Sequence, residues 1–324
     1  MTSAASLVVY THGGGRLGNQ LIRFAHWMAW VRENPGQVVV LDGAFWPYAE
    51  LFSVWRDAPA CLCPATESAW DRAALWYLAL PEWCRKRLER RIPLGLEALG
   101  RGWPRWQSIA LDAKSTDSID LEAPDFLRQV RHRPVTICSG WKISGWNHFA
   151  KHQAELRQLF RPAPAVAQPA EKFIAALRPG YDLIVGMLIR HGDYRVWRGG
   201  EFFFSASVYA GWVRQLLDLH PGRRVAVVIA SDERQPPEVF AGLPCHFATG
   251  SANVGGPWFE SFVALSLCDM VISPPSTFAA AAAFVGRIPL WPVTAAAQEL
   301  AFGQILPDAM VDAARHPWFS IAVN

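Results

Sequence analysis

Arg190 carries the strongest chemical signal in this chain. It ends the apolar run Leu183-Ile184-Val185-Gly186-Met187-Leu188-Ile189 and opens the polar string Arg190-His191-Gly192-Asp193-Tyr194. A short apolar run that stops at Arg, Gly and Asp reads as a buried strand delivering a cation at its carboxyl end. In open α/β sheets that rim is where ligands bind. A guanidinium suits a phosphate there, since its planar fork matches two oxygens and its charge is permanent. The competing reading is an ordinary surface or ion-pairing arginine.

Two further turns in the same half carry polar groups at strand ends: Ser231-Asp232-Glu233 and Ser273-Pro274-Pro275-Ser276-Thr277-Phe278. In the second, hydroxyls and free amides sit where a helix begins, a candidate anion site with Ser276 and Thr277 as donors and the helix dipole assisting. An ordinary N-cap explains one of those hydroxyls equally well. Asp232 reads either as an acceptor for a base or ribose, or as a helix cap. If the three strands are parallel neighbours, their turns converge on one rim and favour a nucleotide.

The first half holds a glycine turn, Gly13-Gly14-Gly15-Arg16-Leu17-Gly18-Asn19-Gln20-Leu21. Gly13, Gly15 and Gly18 fit the spacing of a dinucleotide loop, and Asp42 ends the next strand where a ribose-binding acid would sit. Arg16, Asn19 and Gln20 are unusual in such a loop. A Walker loop is excluded, because no Gly-Lys-Ser/Thr follows. The distinctive element is Arg-Leu-Gly-Asn-Gln opening a helix; a capped glycine turn explains Asn19 but not Arg16.

The elements that position these residues follow from periodicity. Leu7–Tyr10 reads as a strand, Leu21–Val31 as a helix ended by Pro35-Gly36, and Val38–Leu41 as a second strand, which together make a βαβ unit. Residues 50–133 are less regular and read as helical decoration, with a patch over Trp70–Leu80. Val135–Cys138 is another strand. Pro162, Pro164 and Pro169 suggest a linker. Beyond it come a strand ending at Ile189, a helix over Val208–Leu219, and a strand over Val225–Ala230. A helix over Phe259–Cys268, a strand over Met270–Ile272, a helix over Phe278–Val285 and Ile288–Trp291 complete the chain. The expectation is α/β: two Rossmann-like domains facing across a cleft, residues 1–165 with a helical insertion and residues 166–324.

With 324 residues, two domains of roughly 150 each are the natural division. A formal charge of +3 is too small to argue for nucleic acid. The basic cluster Arg85–Arg91 reads as a solvated helix face or a peripheral contact with an anionic membrane. The six cysteines, Cys61, Cys63, Cys84, Cys138, Cys245 and Cys268, form no zinc-like pattern and read as reduced thiols of a cytoplasmic protein. No signal peptide or membrane span is visible. Among sixteen tryptophans, Trp27, Trp30, Trp46 and Trp55 read as core, membrane-edge or sugar-facing, and Trp141, Trp146 and Trp197 as residues that stack on sugars or pack inside.

The string from Gly15 to Ala25 closely resembles the amino-terminal motif of the α-1,2-fucosyltransferases, and its Gly-Arg-x-Gly-Asn-Gln is similar to one in the protein O-fucosyltransferases. Leu188 to Tyr194 resembles the family's His-x-Arg-Arg-Gly-Asp-Tyr, and the Arg-His-Gly variant resembles the nodulation α-1,6-fucosyltransferases. Val228 to Glu233 is similar to the family's strand ending in Ser-Asp-Asp, and Glu260 to Phe278 to its helix, Cys, strand and Ser-rich turn. Residues 50–133 show no such resemblance.

The resemblance implies a glycosyltransferase of the GT-B-like, Rossmann-pair type. It implies GDP-fucose as donor substrate, a glycan as acceptor, inversion at the anomeric carbon, and no obligatory metal or other cofactor. By position, Arg190 would hold the β-phosphate, Ser276, Thr277 and Phe278 would line the same diphosphate, and Asp232 would contact guanosine. Arg16, Gly18, Asn19 and Gln20 would reach the cleft from the first domain. His191 stands where the family has a second arginine. Leu188 replaces the motif's leading histidine, and Ser261 an acidic residue, so guanine and fucose are implied less directly than the diphosphate. For a general base, Asp193 is the first candidate and Glu201 the second; Asp193 reads equally well as a turn residue pairing with Arg190.

Overall fold

The computed structural model of the chain describes residues 6–10, 15–53, 106–110, 119–133, 135–140, 142–308 and 310. It divides into two compact units, Met1–Arg161 and Pro162–Asn324. The patch over Trp70–Leu80, the basic cluster Arg85–Arg91, Cys61, Cys63, Cys84, Trp55, Trp141, Gly13 and Gly14 lie outside the described residues.

In the first unit, strands β1 (Ser6–Tyr10), β2 (Val38–Asp42), β3 (Trp106–Ala110) and, after the two-residue β4 (Ile119–Asp120), β5 (Val135–Ser139) supply one sheet. Its order is β2-β1-β5-β3 and every pairing is parallel. The short β4 pairs separately with β6 (Ile143–Ser144). Residues 50–133 are therefore not all helical decoration, because Trp106–Ala110 is a sheet strand. Tryptophan followed by Gln-Ser-Ile-Ala shows too little alternation to announce a strand, and its place beside β5 is a tertiary effect.

Helix α1 (Leu17–Glu33) is longer than its apolar spacing suggested and is buried almost all round, as a helix at the centre of a unit must be. Trp27 and Trp30 on it are at most 1% exposed, so they are core residues. The polar side chains it carries inward need partners, because an unpaired buried polar group is costly. Arg23 pairs with Asp42 at 3.2 Å, and the His26 Nδ1 accepts the Gly145 N–H at 3.1 Å. Aromatic rings fill the remaining space: Phe24 stacks on Phe45 at 4.3 Å, and both meet Phe160 edge-on. Among the described residues of the unit there are three further helices, α2 (Trp46–Ala49), α3 (Pro124–Arg131) and α4 (Trp146–Leu159).

The second unit opens with α5 (Pro164–Leu177), where a linker was expected. Pro164 is at the start of the helix, where its fixed φ and missing N–H cost nothing. The buried stripe Ala167, Ala170 and Ile174 then carries the helix past Pro169. There follow β7 (Leu183–Ile189), α6 (Ala206–Asp218), β8 (Val225–Ser231), β9 (Cys245–Phe247), α7 (Trp258–Ser266), β10 (Met270–Ser273), α8 (Thr277–Gly286) and β11 (Leu290–Pro292). The sheet order is β11-β10-β7-β8-β9, again wholly parallel. All seven residues of β7 and all seven of β8 are buried, which is why both read as unbroken apolar runs. Close approach holds the helices in place. A Cβ at Gly286 would lie 2.1 Å from the Ser266 carbonyl oxygen, so only glycine lets α8 come this near α7.

Burial lowers the His26 pKa from 6.5 to about 4. The unfolded chain therefore takes up a proton that the folded chain resists, and stability present above pH 6.5 is lost as pH falls towards 4. The loss should reach about 3 kcal/mol. Urea unfolding between these limits measures it; in His26→Phe that part of the slope should vanish.

Candidate functional site

The second sheet places its chemistry through topology. From β7 the chain steps to β8 and β9 on one side, then crosses back to β10 on the other. Strand order thus reverses between β7 and β10, and such a switch point opens a crevice at the carboxyl ends of the strands. Arg190 leaves β7 there, Ser231-Asp232 ends the neighbouring β8, and the turn after β10 leads into α8. The three sequence-picked turns lie on one rim.

Arg190 is held on several sides. Its Nη2 donates to Asp193 Oδ1 at 2.6 Å, its Nε lies 3.4 Å from Asp232 Oδ2, and its Cζ sits 4.9 Å from the centre of the Tyr194 ring. Its side chain is 14% exposed, against 51% for Asp193 and 21% for Asp232. Asp193 therefore does what its turn reading expects, pairing with Arg190. Asp232 is also engaged: Oδ1 accepts the His191 N–H at 2.9 Å. Gly192 makes room for it, since a Cβ there would come within 3.2 Å of Asp232 Oδ2.

The His191 ring is buried and has internal partners. Its Nε2 donates to the Phe204 carbonyl at 2.7 Å, its Nδ1 accepts from the Gln235 amide at 3.1 Å, and the ring lies 4.5 Å from that of Phe203. The expected ligand-facing histidine is thus tied into the wall of the site. Between these two turns lie Arg195, paired with Glu233 at 2.6 Å, and the exposed Glu201.

Tyr194 links the two sides of the switch point. Its hydroxyl donates to the Pro275 carbonyl and also meets the Ser276 side chain. Burial pushes its pKa up to about 12, so the phenol stays a neutral donor. Ser276 is the N-cap residue of α8 with no side-chain capping bond, and the first intrahelical bond runs from the Ala280 N–H to its carbonyl. The amides of Thr277, Phe278 and Ala279 precede that bond, the arrangement in which helix starts attract anions. Ser276 and Thr277 are buried, and Phe278 is half-buried with its ring 5.5 Å from Phe262.

The first unit also has its polar loop at a switch point, between β1 and β5. Gly15 adopts φ +86°, and a Cβ there would lie 2.0 Å from Asn19 Nδ2, so glycine is required. Arg16 is the exposed N-cap residue of α1, Gly18 is buried, and Gln20 Nε2 donates back to the Gly15 carbonyl at 3.2 Å. Asn19 is half-buried and its Oδ1 has no partner among the described residues. Asp42, the residue a dinucleotide reading would need on a ribose, is fully buried. It accepts from Arg23, Ala44 N–H and Phe45 N–H. Burial pushes its carboxyl up, while Arg23 and the two amides pull it back. No acceptor is left facing outward, and the dinucleotide reading falls.

The linking role of Tyr194, the place of Gln235 and the Arg23–Asp42 pair escaped the sequence reading. An arginine inside an otherwise apolar helix was a signal for the pair. Nothing local marked Gln235.

No family model matches the chain, and no curated protein matches it. Among solved structures, that of a mutant of Arabidopsis thaliana FUT1 in complex with GDP is similar, with a TM-score of 0.54 and 14% identity over 89% of this chain and 70% of that one. Fucosyltransferase NodZ from Bradyrhizobium has a TM-score of 0.48 and 14% identity, over 93% of this chain and 98% of its own. For E. coli ADP-heptose LPS heptosyltransferase II the TM-score is 0.43 and the identity 13%, over 94% and 88%. The first likeness supports the α/β fold built on parallel sheets. No helix among the described residues is long and apolar enough to cross a membrane.

Tyr194→Phe removes the donor to a buried carbonyl and should cost about 1–3 kcal/mol in urea unfolding. Asp42→Asn strips a buried arginine of its counter-charge and should cost about 3–5 kcal/mol by the same measurement.

Proposed function

We propose that this chain is a glycosyltransferase that takes its sugar from a nucleoside-diphosphate donor, with GDP-fucose as the donor and a glycan hydroxyl as acceptor. The observation that carries the reading is the arrangement around Tyr194. Arg190 lies against one side of this phenol, and the open start of α8 is fastened to its hydroxyl. A permanent cation and the first amides of a helix thus meet at the switch point, which suits a diphosphate. That the similar Arabidopsis structure holds GDP, and the resemblance of the Leu188–Tyr194 string, support a guanine nucleotide.

In direct displacement an acceptor oxygen attacks the anomeric carbon and the C–O bond to the diphosphate breaks, inverting the centre. The diphosphate gains charge in the transition state. Fixed donors aimed at it lower the barrier, each by about 3–4 kcal/mol. Arg190, Ser276, Thr277 and the α8 amides fill that role. Asp232, with its second oxygen engaged by His191, holds Arg190 in place. The half-exposed Asp193 is the partner that an arriving phosphate displaces, and once displaced it is free to take the acceptor proton.

A thermal-shift titration with GDP, UDP, ADP and their sugars tests the reading. GDP and GDP-fucose should give the largest stabilisation, and GDP-fucose should be consumed with a galactoside acceptor. A preference for UDP or ADP would move the chain to another donor; binding without turnover would make it a nucleotide-binding protein. Arg190→Ala and Arg190→Lys should both lose the GDP shift, since a point charge does not reproduce the fork. Asp193→Ala should bind GDP at least as well as the unaltered protein, as a competing carboxylate is gone, yet transfer more slowly; weaker binding would refute the displacement step.

A further inference from the structure

We infer that Gln235 is a positioning residue of this site: one buried amide sets the orientation of His191 and the shape of the β8 turn, and through them the pose of Arg190. The inference rests on the diphosphate reading above.

Gln235 is 2% exposed, far below what a glutamine in a turn needs. Its Nε2 points at three acceptors: His191 Nδ1 at 3.1 Å, Ser231 Oγ at 3.0 Å and the Glu233 carbonyl at 3.1 Å. Ser231 Oγ in turn donates to the same Glu233 carbonyl at 2.7 Å, folding the turn back on itself around Asp232. Asn253, from the loop after β9, grips the Gln235 backbone on both sides: its Oδ1 accepts the N–H at 2.9 Å and its Nδ2 donates to the carbonyl at 2.8 Å. Gln235 is thereby fixed from the β9 side and passes that fixity on to the β7 and β8 turns.

Two consequences reach Arg190. The Phe204 carbonyl takes the ring proton on Nε2 and closes the loop that follows Arg190, and the Gln235 amide N–H directed at Nδ1 fixes the opposite edge of the same ring. The same amide braces the turn that presents Asp232 to the Arg190 guanidinium and to the His191 N–H. Neither effect involves contact between Gln235 and a ligand. Leucine has nearly the volume of glutamine but offers no donor, so Gln235→Leu leaves the space filled and removes the control.

The test compares the unaltered protein with Gln235→Leu in three measurements: GDP and inorganic pyrophosphate affinity by calorimetry, the thermal midpoint, and the ring-nitrogen signals of His191 by long-range proton–nitrogen NMR. The expected result is about a tenfold loss of affinity for both GDP and pyrophosphate. With it the His191 Nδ1 signal should shift as its donor is lost, while Nε2 keeps the proton it gives to Phe204. Affinity within twofold of the unaltered protein, or an unchanged His191 pattern, overturns the inference. If Gln235→Leu does not fold, Asn253→Ala releases the same turn from its far side and carries the same expectations. Should the unaltered protein bind neither GDP nor pyrophosphate, it is the diphosphate reading that fails.

Discussion

A guanidinium cannot lose its proton, so a chain that brings one to the mouth of a buried parallel strand must surround it with partners. Arg190 sits under that constraint, and much of the second unit's rim answers to it. Asp232 and Asp193 supply charge, Tyr194 supplies a ring face, and Gly192 supplies the room. The partners differ in how firmly they are themselves held. Asp232 is committed to a backbone amide, whereas Asp193 projects toward solvent. A site arranged this way keeps its cation aligned while leaving one side open to exchange.

Much of the framework was legible because parallel strands buried on both faces write themselves as continuous apolar runs. Leu183–Ile189 and Val225–Ala230 could be located to within a residue, and with them the turns that follow. What could not be read were pairings that depend on the third dimension. Trp106–Ala110 is a strand because β5 lies beside it. Pro164–Leu177 is a helix because its small residues find a surface to cover, even though its prolines spell a break. The site divides in the same manner: Arg190, Asp232 and Ser276 were marked by their place after a strand. The internal engagement of His191 depends on Phe204 and Gln235, thirteen and forty-four residues away in sequence.

The first unit solves a related problem with different means. Helix α1 is buried along most of its length, so Arg23 and His26 on it have no water to turn to. Arg23 answers with a carboxylate from the adjoining strand, and His26 with a backbone amide. In the first turn of the helix, the Asn19 carbonyl oxygen has no partner among the described residues.

The ion pair under that loop also limits what the chain can become. Its glycine spacing and terminal acid are superficially one short step from a dinucleotide-binding motif, which makes Asp42 an obvious target for recruitment to a ribose. Pulling the acid outward would strand Arg23 among aromatic rings, and neutralising the arginine first would leave the acid uncompensated until the second change arrived. Neither single substitution is a tolerable waypoint, so the two positions can be exchanged only together.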